Sequence, residues 1–323
     1  MIREAERATA TTTAGVTDEG AVRSSGARST LERDRRRLFL PFVLPALVLY
    51  LVFFIGPALA AVWISFTRWN GSTDAEWVGT RNYEVLVDDP VFHTAFVNTL
   101  LILVVVGVVV FVIAFGLTMV LREMRGRNAV RSILFTPYMV SAIVLSILWG
   151  FIFQYDGLVN SLLEAFGMEP VKWLSAGNLM PMILLGMVWI NVGLYAMIIL
   201  AAVDRIPNQY YEDAALAGTN SLQRFFYVTL PMTWDVVAVA ATLWTINSLK
   251  IFEFIFAFGG TTTDLPSTDV WNSALFVYGM SFGGRTPAYA FGYASAAAVL
   301  MLILFAVFVI LLRRIMRREP IEF

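Results

Sequence analysis

Six long apolar runs constrain this chain more than any other feature. They lie near 38–66, 94–121, 130–154, 180–203, 232–258 and 290–312. Each reaches the ~20 residues a helix needs to cross ~30 Å of hydrocarbon. In that medium every backbone N–H and C=O must be satisfied within the segment, so runs of this length read as helices. Composition agrees, because 58% of the 323 residues are hydrophobic and only 15% are charged, against about 25% charged in a soluble domain. The predicted fold class is an all-α integral membrane protein with six transmembrane helices inside a domain spanning 37–318. Pro137 interrupts the third run, and proline is tolerated in a span where neighbouring helices satisfy the freed carbonyl.

The ends read differently. Residues 1–36 are rich in Thr, Ser, Ala and Gly without an apolar cluster, the composition of a disordered tail. Residues 319–323 form a short C-terminal tail. The first apolar run is too long for a signal-peptide core. Eighteen arginines fall on one side of the six-span topology, and four Lys or Arg (Arg68, Arg81, Lys172 and Arg285) fall on the other. The positive-inside rule then places both termini in the cytoplasm. The segment from Tyr155 to Ser175 has apolar residues at helical spacing and is expected to lie as an amphipathic helix on the outer surface.

Several functions are excluded. Net charge is −1, so nothing in the overall balance points to a nucleic-acid partner. Cysteine is absent, which removes disulfides, thiolate metal sites and cysteine catalysis. The two lysines, Lys172 and Lys250, both lack the P-loop context, so the chain binds no ATP through a Walker motif of its own. His93, the single histidine, sits at the edge of a span and reads as an interfacial side chain. No carboxylate pair or nucleophile–base arrangement stands out, so neither an enzyme nor a metal site is expected.

The loop after the fourth span, "DRIPNQYYEDAALAGTNSLQRFFYVTLP" over 204–231, is long for a connection between bundle helices. Pro207 suits a helix start. Tyr211, Ala214, Ala215 and Gly218 recur at spacings of three and four, giving a face of little bulk. Gly218 can end that helix in the left-handed conformation, and Asn220 or Ser221 can cap a second one. The reading is helix–turn–helix along the membrane surface. On composition alone it serves equally as a connector packed on its own bundle, or as a face that another surface approaches.

The same stretch resembles the E-A-A-x-x-x-G-x9-I-x-L-P signature of membrane subunits of binding-protein-dependent ABC importers. Glu212, Ala214, Gly218, Leu230 and Pro231 fall in register, with Val228 in place of Ile. Asp213, Ala217 and Thr219 depart from the pattern. Stretches such as "FVNTLLILVVVGVVVFVIAFGLTMVL" and "RSILFTPYMVSAIVLSILWGFIF" are similar to the carbohydrate-uptake, maltose-type branch of that family. The resemblance implies the type I ABC importer permease fold, with cytoplasmic coupling helices in 204–231 that seat in a separate ATPase subunit. Glu212, Asp213, Ala214, Gly218, Leu230 and Pro231 would make or set that contact. It implies no cofactor on this chain, with ATP and Mg held by the partner. The implied partners are a second related permease subunit, two copies of a P-loop ATPase and an extracytoplasmic solute-binding protein. The implied setting is a bacterial or archaeal cell membrane, and the implied work is alternating-access uptake of a sugar or oligosaccharide. A non-sugar solute such as glycerol phosphate, or an ion-coupled secondary transporter, are the alternatives.

The resemblance also implies that any solute touches the fourth and fifth spans. The candidates are Gly193, Tyr195, Thr245, Asn247, Lys250 and Glu253. Lys250 and Glu253 are three apart, neighbours if the fifth span is one helix, and ionisable residues inside a membrane are costly and often functional. Thr242, Thr245, Leu249 and Glu253 would share one face. Interhelical packing competes with solute contact at each position.

Overall fold

The structure, a computed structural model, describes residues 41–259, 264–283 and 290–316. The tails expected over 1–36 and 319–323 lie outside the described residues. Two units are distinguished, one ending at Ala60 and one beginning at Ala61. The described part of the first is the start of an apolar helix, α1 (Pro41–Ile64), with a π-helical turn over Leu51–Ile55. The second holds the other described elements, among them a short 3-10 turn over Thr268–Val270. In order the strands and longer helices are β1 (Thr67–Arg68), β2 (Glu76–Trp77), α2 (Arg81–Asp88), α3 (Pro90–Arg122), α4 (Arg127–Met139), α5 (Ala142–Phe153), α6 (Leu158–Ala165), α7 (Ala176–Val203), α8 (Asn208–Leu216), α9 (Ser221–Met232), α10 (Trp234–Lys250), α11 (Glu253–Gly259), α12 (Ser273–Phe282) and α13 (Phe291–Met316).

Among the described residues, α1, α3, the stretch Ala142–Ala165 that joins α5 and α6, α7 and α13 are long and apolar enough to cross a membrane. The bent pair α9 and α10 makes a sixth. Two expected spans are corrected in detail. The run 130–154 is not one helix: α4 ends at Met139, Val140 is extended, and Ser141 precedes α5. α4 carries Arg127, Arg131, Ser132 and Thr136, too polar a set for a span. The run 232–258 is also broken. α10 stops at Lys250, Ile251 turns extended at ψ 110°, and α11 starts at Glu253. Fully buried Asn272 donates from Nδ2 to the Ile251 carbonyl, satisfying it without a helical N–H. Lys250 and Glu253 are therefore not neighbours on one helix, and the polar face expected through Thr242, Thr245 and Leu249 stops short of Glu253.

A two-residue antiparallel hairpin, with Thr67 opposite Trp77, is a small departure from the all-α expectation. α12 lies in a loop for which no helix was expected.

The core forms where α3 and α7 run against each other. Ile102, Val106 and Val110 of α3 meet Ile183, Tyr195 and Ile199 of α7, all fully buried. α3 widens into a π turn over Ile102–Val106, where Trp244 donates its indole N–H to the Leu103 carbonyl at 2.8 Å. The Trp244 ring lies where a side chain at Gly107 would go, so the glycine admits it. Trp244→Phe removes that donor; we expect a loss of about 1–2 kcal/mol, read as a lower Tm of the detergent-solubilised protein. At one end of the bundle, Asn98 donates to the carbonyls of Asp269 (2.7 Å) and Trp271 (2.9 Å), and the hydroxyls of Thr99 and Ser273 lie 2.6 Å apart. These bonds hold the chain after α11 against α3.

Candidate functional site

The loop between α7 and α10 folds by local rules. α8 begins after Pro207. Gly218 adopts φ +78°, the left-handed conformation that favours glycine. Asn220 then closes a capping box with Gln223, the Asn220 side chain accepting from the Gln223 N–H and the Gln223 side chain from the Asn220 N–H. α9 follows, with a π turn over Phe225–Thr229, and meets α10 at a bend of 76° around Thr233. Leu230 and Pro231 lie just ahead of that bend.

The face read as small divides between two roles. Tyr211 and Ala214 are half-buried, while Glu212, Asp213, Ala215 and Leu216 are exposed. The Tyr211 hydroxyl lies 2.9 Å from that of Thr229. The outward face of α8 is therefore two acids beside a bulky apolar residue, since Leu216 is 88% exposed. Sequence reasoning passed over Leu216. Its signal was a large aliphatic residue next to two carboxylates, where a solvated helix face favours a polar one.

Arginines around the loop, read in the sequence only for topology, make specific contacts. Asp204, just after α7, accepts from Arg127 (3.2 Å) and Arg131 (2.8 Å), tying the start of α4 to the end of α7. Arg122, at the end of α3, donates to the Asn208 side-chain oxygen at 2.9 Å and stacks its guanidinium on Tyr211.

The solute candidates separate in the same way. Asn247, Lys250 and Glu253 line one cleft of about 230 Å³ together with Asn191, Met187 and Phe252. The break after Lys250 places the last residue of α10 and the first of α11 on this cleft. Neither Lys250 nor Glu253 forms an ion pair among the described residues. Gly193, Tyr195 and Thr245 do not line it. Gly193 sits where α7 crosses α4: a Cβ there would overlap the Leu134 carbonyl and lie 3.1 Å from the Phe135 Cα. Tyr195 is fully buried between Phe111 and Trp244, at centroid distances of 5.3 and 5.7 Å. Asn247 faces its hydroxyl but makes no hydrogen bond of normal geometry with it. Thr245, also buried, donates to the Ala241 carbonyl of its own helix at 2.8 Å. His93 is exposed, with Nε2 2.6 Å from the Val87 carbonyl oxygen.

The family described as binding-protein-dependent transport system inner membrane component matches residues 112–319. The chain belongs to this family. As an importer permease it is a transport subunit and not an enzyme. It is 30% identical to the alpha-glucoside transport system permease protein AglF of Rhizobium meliloti, over 88% of this chain and 83% of that one. It is 29% identical to the diacetylchitobiose uptake system permease protein NgcF of Streptomyces coelicolor, over 89% and 85%. The lactose transport system permease protein LacF of Rhizobium radiobacter is 30% identical, over 87% and 94%. A bacterial ABC transporter involved in the import of the acidic polysaccharide alginate has a chain that superposes with a TM-score of 0.76 at 22% identity, over 90% of this permease and 99% of that chain. That likeness bears on the fold, and it is the importer permease fold.

Proposed function

We propose that this permease carries a saccharide across the cell membrane by alternating access. A second, related permease subunit completes the translocation path. Two ATPase subunits hold ATP and Mg, and an extracytoplasmic binding protein delivers the solute. Relatives named for alpha-glucosides, diacetylchitobiose and lactose support the substrate class. The observation that carries the coupling role is the outward face of α8, where Glu212, Asp213 and Leu216 are turned away from the bundle beside left-handed Gly218. The two carboxylates suit a basic rim on the ATPase, and Leu216 suits an apolar socket within it. Ala214 allows α8 to sit close to the bundle, and Leu230 and Pro231 lead into the bend that joins the loop to α10. Both termini are then cytoplasmic, as is this loop. Such a cycle responds to ATP only through its differential affinity for the two states.

Purification of the assembled complex tests the reading. A second permease and a P-loop ATPase should co-purify, and proteoliposomes should show ATP-dependent saccharide uptake. A lone chain that takes up the solute on an ion gradient overturns it.

The cleft of Asn191, Asn247, Lys250 and Glu253 offers amide, ammonium and carboxylate groups beside Phe252, a set able to bind hydroxyls and a ring face. Lys250 favours a second reading, a solute bearing an anionic group, whether a sugar acid or glycerol phosphate. For an anionic solute, Lys250→Gln should raise the uptake KM about tenfold, against less than about threefold for a neutral sugar. Uptake kinetics of both solutes in one preparation decide between them.

A further inference from the structure

The geometry points to Arg122 as a positioning residue for the loop between the fourth and fifth spans, acting through Tyr211. This rests on the reading of that loop as the ATPase contact.

Arg122 is the last residue of α3 and half-buried. Its guanidinium carbon lies 3.5 Å from the centroid of the Tyr211 ring, and its Nη2 donates to Asn208 Oδ1 at 2.9 Å. Asn208 and Tyr211 are three apart on α8, so they share one side of its first turn. A guanidinium serves both at once because it is planar: its face stacks on the ring while its edge donates. An ammonium has no such face. On the far side of the ring, the Tyr211 hydroxyl lies 2.9 Å from the Thr229 hydroxyl. Thr229 is 2% exposed, and its carbonyl accepts from the Thr233 hydroxyl at the bend into α10. One tyrosine thus joins the end of the second span, the loop helix and the entry to the fifth span. Arg122, Tyr211 and Thr229 border a cavity of about 40 Å³, room for a water molecule and not for bulk solvent.

The consequence is mechanical. A load on the outward face of α8 reaches α3 and α10 through the Arg122–Tyr211–Thr229 chain. Without Arg122, α8 still presents Glu212, Asp213 and Leu216, but it yields under load. ATP is then spent with less solute moved.

The test uses the complete importer in proteoliposomes with its ATPase and binding protein, and reads solute imported per ATP hydrolysed. Arg122→Ala should lower that ratio about fivefold while the ATPase still co-purifies. Arg122→Lys should restore less than half of the loss. Tyr211→Phe keeps the ring and loses the Thr229 contact, so it should fall between Arg122→Ala and the unmodified protein. If Arg122→Ala does not assemble, Tyr211→Leu, which leaves the arginine in place, carries the same expectation. Gly218→Trp serves as the reference. A normal ratio in Arg122→Ala or Tyr211→Leu, with uptake abolished in Gly218→Trp, overturns the positioning role and leaves the docking reading intact. Normal uptake in Gly218→Trp removes the docking reading itself.

Discussion

Gly218→Trp is expected to leave the spans inserted and to abolish solute uptake. A Cβ at position 218 meets open space, with no atom within 4 Å, so the fold resists the substitution through backbone strain and not through a clash at the Cβ. The backbone there is left-handed at φ +78°, which costs a non-glycine residue about 1–2 kcal/mol. That cost falls on the turn between α8 and α9. The larger effect comes from an indole standing beside Glu212, Asp213 and Leu216, where the proposed ATPase surface must close. Gly218→Asn separates bulk from strain, since asparagine tolerates the left-handed region; its uptake should stay within about threefold of the unmodified protein. Uptake at the normal rate with tryptophan in place would sink the docking assignment.

Gly193→Ala is expected to be among the most damaging single-methyl additions in the bundle. The added carbon would overlap the Leu134 carbonyl oxygen and approach the Phe135 Cα at 3.1 Å. These are backbone atoms, so no rotamer change relieves them. α4 would have to move away from α7, and it is tethered there by the ion pairs of Arg127 and Arg131 with Asp204. Overpacking a core typically costs about 1–3 kcal/mol, and a backbone clash belongs at the upper end. Gly116→Ala is the control, because nothing lies within 4 Å of a Cβ there. Thermal unfolding of both variants in detergent checks the contrast. Equal Tm values would mean that α4 and α7 do not cross at Gly193.

Much of this was legible in the sequence, and the parts that were not share a cause. Apolar run length announced the spans because hydrocarbon imposes the same requirement on every one of them. The helix–turn–helix after the fourth span was legible because its signals are local: Gly218 stops one helix, and Asn220 with Gln223 starts the next. The breaks were hidden because their partners are distant. Ile251 leaves the helix with its carbonyl held by Asn272, twenty-one residues further on. The separation of α4 from α5 was masked by an apolar stretch that reads straight through Val140 and Ser141. Residue type is ambiguous in a similar way among the solute candidates. Glycine, tyrosine and threonine suit a sugar site and a helix crossing equally well, and Gly193, Tyr195 and Thr245 turn out to stand within the packing. Arg122 carried a signal only as one more positive charge, because its contact with Tyr211 joins residues eighty-nine apart.

The 76° bend around Thr233 makes α9 and α10 the two arms of a crank. When two rigid helices meet at that angle, a displacement along the first projects only about a quarter of its length onto the axis of the second. Nearly all of the stroke arrives crosswise. A push along α9 therefore swings α10 sideways instead of driving it lengthwise, and a sideways swing is the motion that parts or closes neighbouring helices. The far end of the swinging arm is Lys250, on the cleft that it shares with Glu253.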